Sequence, residues 1–237
     1  MKVEILHFVE GATNAKGVAV IIDVFRAFSV SCYAFDSGAV RIIATGSVDA
    51  AFLLKDKYKN SVLVGERDEK KIVGFDFGNS PTEIIKSDLN GKTVIHTTTA
   101  GTNGLVNSTK ADLVITGSIV NAGAVVQYIK KLSPEHVSLV AMGYRGTTSA
   151  DEDILCAEII KAGLEDKKID FGKRISDLQN SSGRRFFNIE NLDFSPPSDY
   201  FLCTMMDKFN FILKAERRFD NNIDLMKIEI QAGSHSQ

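Results

Sequence analysis

Residues 18–29 read Val18-Ala19-Val20-Ile21-Ile22-Asp23-Val24-Phe25-Arg26-Ala27-Phe28-Ser29. An unbroken apolar run, rich in β-branched residues, stops abruptly at a carboxylate. Such a run suits a strand buried on both faces, as in a parallel sheet covered by helices. Similar runs recur at Val40–Ala44, Val62–Val64, Val94–Ile95, Leu113–Ile115 and Val137–Ala141. Between them the pattern predicts helices over Ala50–Tyr58, Ala122–Leu132 and Asp151–Gly163. Alternating strands and helices predict an α/β fold: a three-layer αβα sandwich around a largely parallel sheet. Further on, 171–197 reads as loops, Phe201–Lys214 as a helix and Leu225–Ile230 as a closing strand. No linker divides the chain, so residues 1–237 are expected to form a single domain. Segments 16–54 and 92–130 share a strand–turn–helix order ending in ATGSV and ITGSI, as two related βαβ halves would. Any two α/β units look alike at this level, so the similarity also fits unrelated segments.

Composition excludes several classes. The 237 residues are 44% hydrophobic and carry a formal charge of −2, so no basic surface for a nucleic acid is expected. No apolar run approaches the roughly 20 residues of a membrane helix. The N-terminus MKVEILHFVEGA carries Glu4 and Glu10 and does not read as a signal peptide. Cys32, Cys156 and Cys203 are too sparse for a CxxC motif and suit a reducing compartment, so a cytoplasmic location is expected. A homodimer is the base-rate expectation for assembly.

Ligands of parallel α/β sheets bind beyond the carboxyl ends of the strands. Four such ends are polar here. Asp23 and Arg26 follow the first run, and Glu66 and Arg67 follow Val62–Val64. Thr97–Gly104 (TTTAGTNG) follows the Val94 run. Arg145, then Asp151-Glu152-Asp153, follow the Val137 run. Carboxylates mixed with arginines and Gly/Thr turns point to a shared site for an anion and a hard cation. Arginine binds phosphate in a bidentate fork. Magnesium is held by one or two carboxylates plus substrate oxygens and water.

Each motif also has a structural use. Asp23 could cap the helix that follows it, and Arg26 could form a surface ion pair. Glu66 and Arg67, adjacent in an extended stretch, point opposite ways. Ser80-Pro81 with Glu83 forms a capping box, although a capped helix start with Gly78 and Asn79 also cradles anions. Glu152 after Ser149 repeats the capping pattern. TTTAGTNG lacks the lysine of a nucleoside-triphosphate loop. His7, His96 and His136 show no metal spacing and read as structural.

Taken in order, DVFRAFS (23–29), GER (65–67), GFDFGNSP (74–81), TTAGT (98–102) and RGTTSADEDILCA (145–157) resemble the 2-phosphosulfolactate phosphatase family. The motifs span about the first two-thirds of the chain. The resemblance implies a magnesium-dependent phosphatase that removes phosphate from 2-phospho-3-sulfolactate, a step of coenzyme M biosynthesis. Phe28 stands where the family has a threonine, and Ala100 where it has an asparagine. Both changes remove a polar group, and they bear on the substrate more than on the reaction.

The expected mechanism is metal-assisted hydrolysis of a phosphate monoester. Asp23, Arg26, Glu66 and Arg67 are the expected catalytic residues, and Asp23, Glu66, Glu152 and Asp153 the expected magnesium ligands. Asn79, Ser80, Thr98, Thr99, Gly101 and Thr102 are expected to bind phosphoryl oxygens. Arg145 is expected to bind the substrate's carboxylate or sulfonate. The rivals are a phosphatase for another 2-phospho-carboxylate and a non-catalytic binder of a phosphorylated metabolite.

Overall fold

The computed structural model describes residues 1–231. The chain starts with β1 (Lys2–His7), α1 (Phe8–Asn14), β2 (Val18–Ile22), α2 (Ala27–Asp36), β3 (Arg41–Ala44), α3 (Val48–Lys57) and β4 (Ser61–Arg67). A two-residue β5 (Lys70–Lys71) and α4 (Pro81–Ile84) lead to β6 (Thr93–Thr97), α5 (Gly101–Asn107), β7 (Leu113–Gly117), α6 (Ala122–Leu132), β8 (His136–Ala141) and α7 (Asp151–Leu164). Then come α8 (Gly172–Asp177), several 3-10 turns, α9 (Pro197–Thr204), β9 (Phe211–Arg217) and β10 (Ile223–Glu229). The strands form one mostly parallel sheet, in the order β1-β8-β2-β7-β9-β10-β3-β6-β4-β5.

Both faces of the sheet are covered. Along β2, Ala19 and Ile21 join the core under α1, α2 and α5. Val18, Val20 and Ile22 join the core under α6 and α7. That double burial is why the run shows no polar alternation. A third cluster packs Ala51 and Leu54 of α3 on Ile43, Leu63 and Ile95. The three-layer αβα arrangement expected from the sequence is the one found.

The sheet has two parallel blocks, β1-β8-β2-β7 and β3-β6-β4, joined by the antiparallel hairpin β9–β10. β9 pairs antiparallel with β7, and β10 antiparallel with β3. Exchange β2 with β6, β3 with β7, β4 with β8 and β9 with β10, and these eight strands read the same from either edge. The segments 16–54 and 92–130 hold equivalent places in this order, and each starts in one block and ends in the other.

One expectation is corrected. Phe201–Lys214 is not a helix: α9 ends at Thr204 and β9 begins at Phe211. Phe211 and Leu213 enter one core and Ile212 the other, a period of two that fits only a strand. The single domain expected over 1–237 extends past the described residues, since 232–237 lie outside them.

Ile212 and Leu213 are fully buried at the seam between the blocks. Ile212→Ala or Leu213→Ala is expected to cost about 2–5 kcal/mol. Met226→Ala, on the exposed side of the same hairpin, should change stability by no more than about 0.5 kcal/mol. Urea denaturation monitored by circular dichroism measures all three.

Candidate active site

The ends of β2, β4, β6 and β8 converge on one narrow cleft. Asp23, Glu66, Asn79, Thr99, Ala100, Gly143 and Arg145 line it. They are joined by Phe25, Arg26, Asp68, Glu69, Tyr144 and Arg185.

Asp23 follows β2 directly. Its Oδ1 accepts the Ala27 N–H, the first of α2, at 3.0 Å, although Arg26 is the N-cap residue and α2 starts only at Ala27. Among the described residues no donor reaches its Oδ2, which lies beside Gly101. A Cβ at Gly101 would come within 2.8 Å of that oxygen, so only glycine lets α5 approach so closely. Burial is the main force pushing the Asp23 carboxyl up to about 6. The Ala27 N–H and Arg185 oppose it, and the charges of Glu66 and Glu152 add to it.

Glu66 braces the cleft wall. Oε1 accepts the Thr99 N–H at 2.6 Å, and Oε2 accepts the Glu69 N–H at 2.9 Å and the Thr99 hydroxyl at 3.1 Å. Arg67 turns elsewhere, donating to Glu66 O at 2.7 Å and Thr97 Oγ1 at 2.9 Å, and it does not line the cleft. Adjacent side chains on an extended strand diverge, so only one of the pair reaches the site.

Other expected site residues serve the frame. Asp153 accepts N–H bonds from Val24 and Gly143, both at 2.8 Å, and so pins the ends of β2 and β8 together. Gly143 takes φ +69°, and a Cβ there would strike Thr148 O at 2.2 Å. Thr98 and Thr102 are buried and bond to each other. Ser80 caps α4 and donates to Asp199 Oδ1 at 2.8 Å. None of these four lines the cleft. Arg26 reaches the cleft wall, but its guanidinium is buried against Asp199 Oδ2 and Phe194 O, both at 2.6 Å.

The carboxylates form no dense metal nest: among the described residues no three His, Cys, Asp or Glu side chains are grouped to hold an ion. Glu152 is buried and does not line the cleft. Its Oε2 and the neighbouring Ser182 hydroxyl complete no hydrogen bond of normal geometry. Burial raises the Glu152 carboxyl, with Arg185 opposing.

Arg185, in the stretch read as loops, is the residue that motif reading missed. Its Nη1 donates to Glu69 Oε1 and its Nη2 to Phe25 O, both at 2.8 Å. Its Nε is buried without a partner. Burial alone would lower its pKa, but Glu69, Glu152 and Asp23 outweigh that and raise it, so the guanidinium stays charged. The available signal was the Arg184-Arg185 pair after Ser181-Ser182-Gly183, and nothing local distinguishes its second arginine from its first. At the mouth, Arg145 pairs with Asp68 at 2.6 Å.

A helix-covered sheet with carboxylates and arginines gathered in a cleft at its strand ends has the layout of an α/β enzyme site. The family model of 2-phosphosulpholactate phosphatase matches residues 6–188, and the chain belongs to that family. It is 40% identical over 171 residues to a probable 2-phosphosulfolactate phosphatase of Carboxydothermus hydrogenoformans, covering 72% of this chain and 71% of that one. It is 32% identical over 204 residues to a protein of the same description from Bacillus subtilis, covering 84% and 87%. A third so described, from Thermotoga maritima, is 36% identical over 174 residues, covering 73% and 71%. No helix among the described residues is long and apolar enough to cross a membrane.

Two outcomes follow from this geometry. Because folding raises the Asp23 pKa from 3.8 to about 6, the folded state holds that proton more tightly, and stability falls as pH rises between those values. In a chelator, Asp23→Asn is therefore expected to be more stable than wild type at pH 8 by about 1–3 kcal/mol, with the gap closing below about pH 4. Asp199→Ala strands Arg26 in the core and should destabilise by about 3–5 kcal/mol. Thermal and urea melts across pH measure both.

Proposed function

We propose that the protein hydrolyses 2-phospho-3-sulfolactate to 3-sulfolactate and inorganic phosphate, with magnesium. The observation that carries the reading is one cleft holding both Arg145 and Arg185 beside the raised, open carboxylate of Asp23. The relatives described as probable 2-phosphosulfolactate phosphatases supply the substrate.

The residues present fit a magnesium ion. Arg26, Arg145 and Arg185 are already paired with Asp199, Asp68 and Glu69. That leaves Asp23 and Glu66 in the cleft wall without a cationic partner at salt-bridge distance among the described residues. A phosphate dianion would meet those charges unless a cation lay between. Asp23, through its open Oδ2, and Glu66 would hold the ion with substrate oxygens and water completing the shell. When bound, magnesium supplies charge neutralisation at the phosphoryl oxygens and lowers the pKa of bound water.

The rest is done by the chain. Arg185 and the Asn79 amide donate to phosphoryl oxygens as their negative charge grows. Arg145, half exposed at the mouth, binds the distal anion. Asp23, at the end of β2, orients the attacking water and accepts the proton that water loses as its bond to phosphorus forms. The P–O bond to the ester oxygen breaks, and that oxygen takes up the proton released by the water and leaves as the alcohol of sulfolactate.

Phosphate release from 2-phosphosulfolactate is expected with magnesium and not with a chelator. Asp23→Ala should lose at least about a hundredfold in kcat, and Arg145→Ala should chiefly raise KM. Turnover without magnesium, or an Asp23→Ala enzyme within about tenfold of wild type, contradicts the mechanism.

A further inference from the structure

His96 lies on β6, fully inside the protein, and touches no part of the cleft surface itself. It stands between two polar groups. Its Nε2 is 3.1 Å from Asn79 Oδ1, and its Nδ1 is 3.3 Å from Ser31 Oγ on α2. Asn79 does line the cleft, and among the described residues none accepts from its Nδ2. Of the side chains lining the cleft, Asn79 alone carries an uncharged N–H. Ala100 offers none, and the Thr99 hydroxyl is committed to Glu66.

Counting protons defines the arrangement. A neutral imidazole has one N–H and one lone-pair nitrogen. An amide oxygen only accepts, so Asn79 Oδ1 facing Nε2 requires the proton on Nε2. Nδ1 must then accept, and Ser31 Oγ is its donor. The Ser31 hydroxyl also lies 2.9 Å from Ala27 O, and it has one proton to give. Giving it to Ala27 instead would put the ring proton on Nδ1 and demand an Asn79 amide turned round, with its oxygen facing the cleft. That oxygen would confront the phosphoryl oxygens as well as the nearby carboxylates. Burial, with no acid alongside, drives the His96 pKa down to about 4, so a doubly protonated ring does not resolve the conflict at neutral pH.

We propose that His96 is a positioning residue: neutral, with its proton on Nε2, it donates to Asn79 Oδ1 and holds the Asn79 NH2 turned into the cleft as a donor to an anionic oxygen. The ligand half of this rests on the phosphate-ester reading above; the ring half does not. The chain Ser31–His96–Asn79 ties α2, β6 and the loop before α4 into one polar relay. Substrate binding then needs no reorientation of the amide, which is what a preorganised donor provides.

The test has two arms on the full-length protein. Long-range ¹⁵N–¹H spectra of ring-labelled wild type, with His96 assigned by its loss in His96→Gln, read the tautomer directly. The Nε2–H pattern is expected; an Nδ1–H or doubly protonated ring at pH 7.5 overturns the proposal whatever the activity. Calorimetry with inorganic phosphate and magnesium forms the second arm. His96→Leu should weaken phosphate binding about tenfold, as Asn79→Ala does. The double variant should be no weaker than either by more than about twofold, since both changes remove one donor. His96→Gln, whose amide N–H can replace Nε2–H, should stay within about threefold of wild type. Additive losses, or a His96→Leu protein that binds like wild type, overturn the proposal. Wild type that binds no phosphate sinks the phosphate-ester reading and the ligand role of Asn79 with it, leaving a failure distinct from a wrong tautomer.

Discussion

Asp23 and Glu66 share a cleft although their strands stand six steps apart in the sheet and run in opposite senses. Twist resolves this. Neighbouring strands rotate by about 20–25°, so six steps accumulate on the order of 120–150°. Three antiparallel pairings across the hairpin reverse the strand sense once, and a twist of that size would nearly undo the reversal. The carboxyl ends of β2, β8, β4 and β6 thus turn toward one another. Had the hairpin joined the blocks through a flat sheet, the two sets of strand ends would face opposite edges. The β9–β10 hairpin is therefore part of how the site is made, far as it lies from Asp23 in sequence.

Within the cleft, burial sets the division of labour among the acids. Asp153 has both oxygens occupied by protein donors and holds the strand ends in place, while Glu66 accepts from Thr99 and Glu69 and still lines the cleft. Asp23 has one oxygen occupied and one open, and burial pushes its cleft-facing carboxyl up to about 6. The arginines divide similarly. Arg26 is consumed by Asp199 and Phe194, while Arg185 keeps one N–H without a partner. Such unspent capacity beside framework residues that are fully satisfied is where ligand chemistry concentrates.

The α/β class, the positions of β2, α6 and β8, and the polar strand ends were legible because they depend on local pattern. A five-residue run rich in β-branched residues is too short for a helix and suits a buried strand, and Ala122–Leu132 carries its helical period without interruption. Glu66 and Thr99 were legible because residues at strand ends are informative in parallel sheets, and Asn79 because it precedes a capped helix start. Phe201–Lys214 was misread because a short strand buried on two faces and a helix segment offer similar apolar density, and only pairing with β7 and β10 separates them.

Sequence by itself determined the layers, the polar strand ends and the membership of motifs in an ordered set. Tertiary structure alone decided which residue of each motif faces the cleft, and it brought in Arg185, Glu69 and His96. The reason is that a side chain's availability depends on whether its hydrogen bonds are already made. The partners that settle this for Arg26, Asp153 and Ser80 lie 168–173, 10–129 and 119 residues away along the chain.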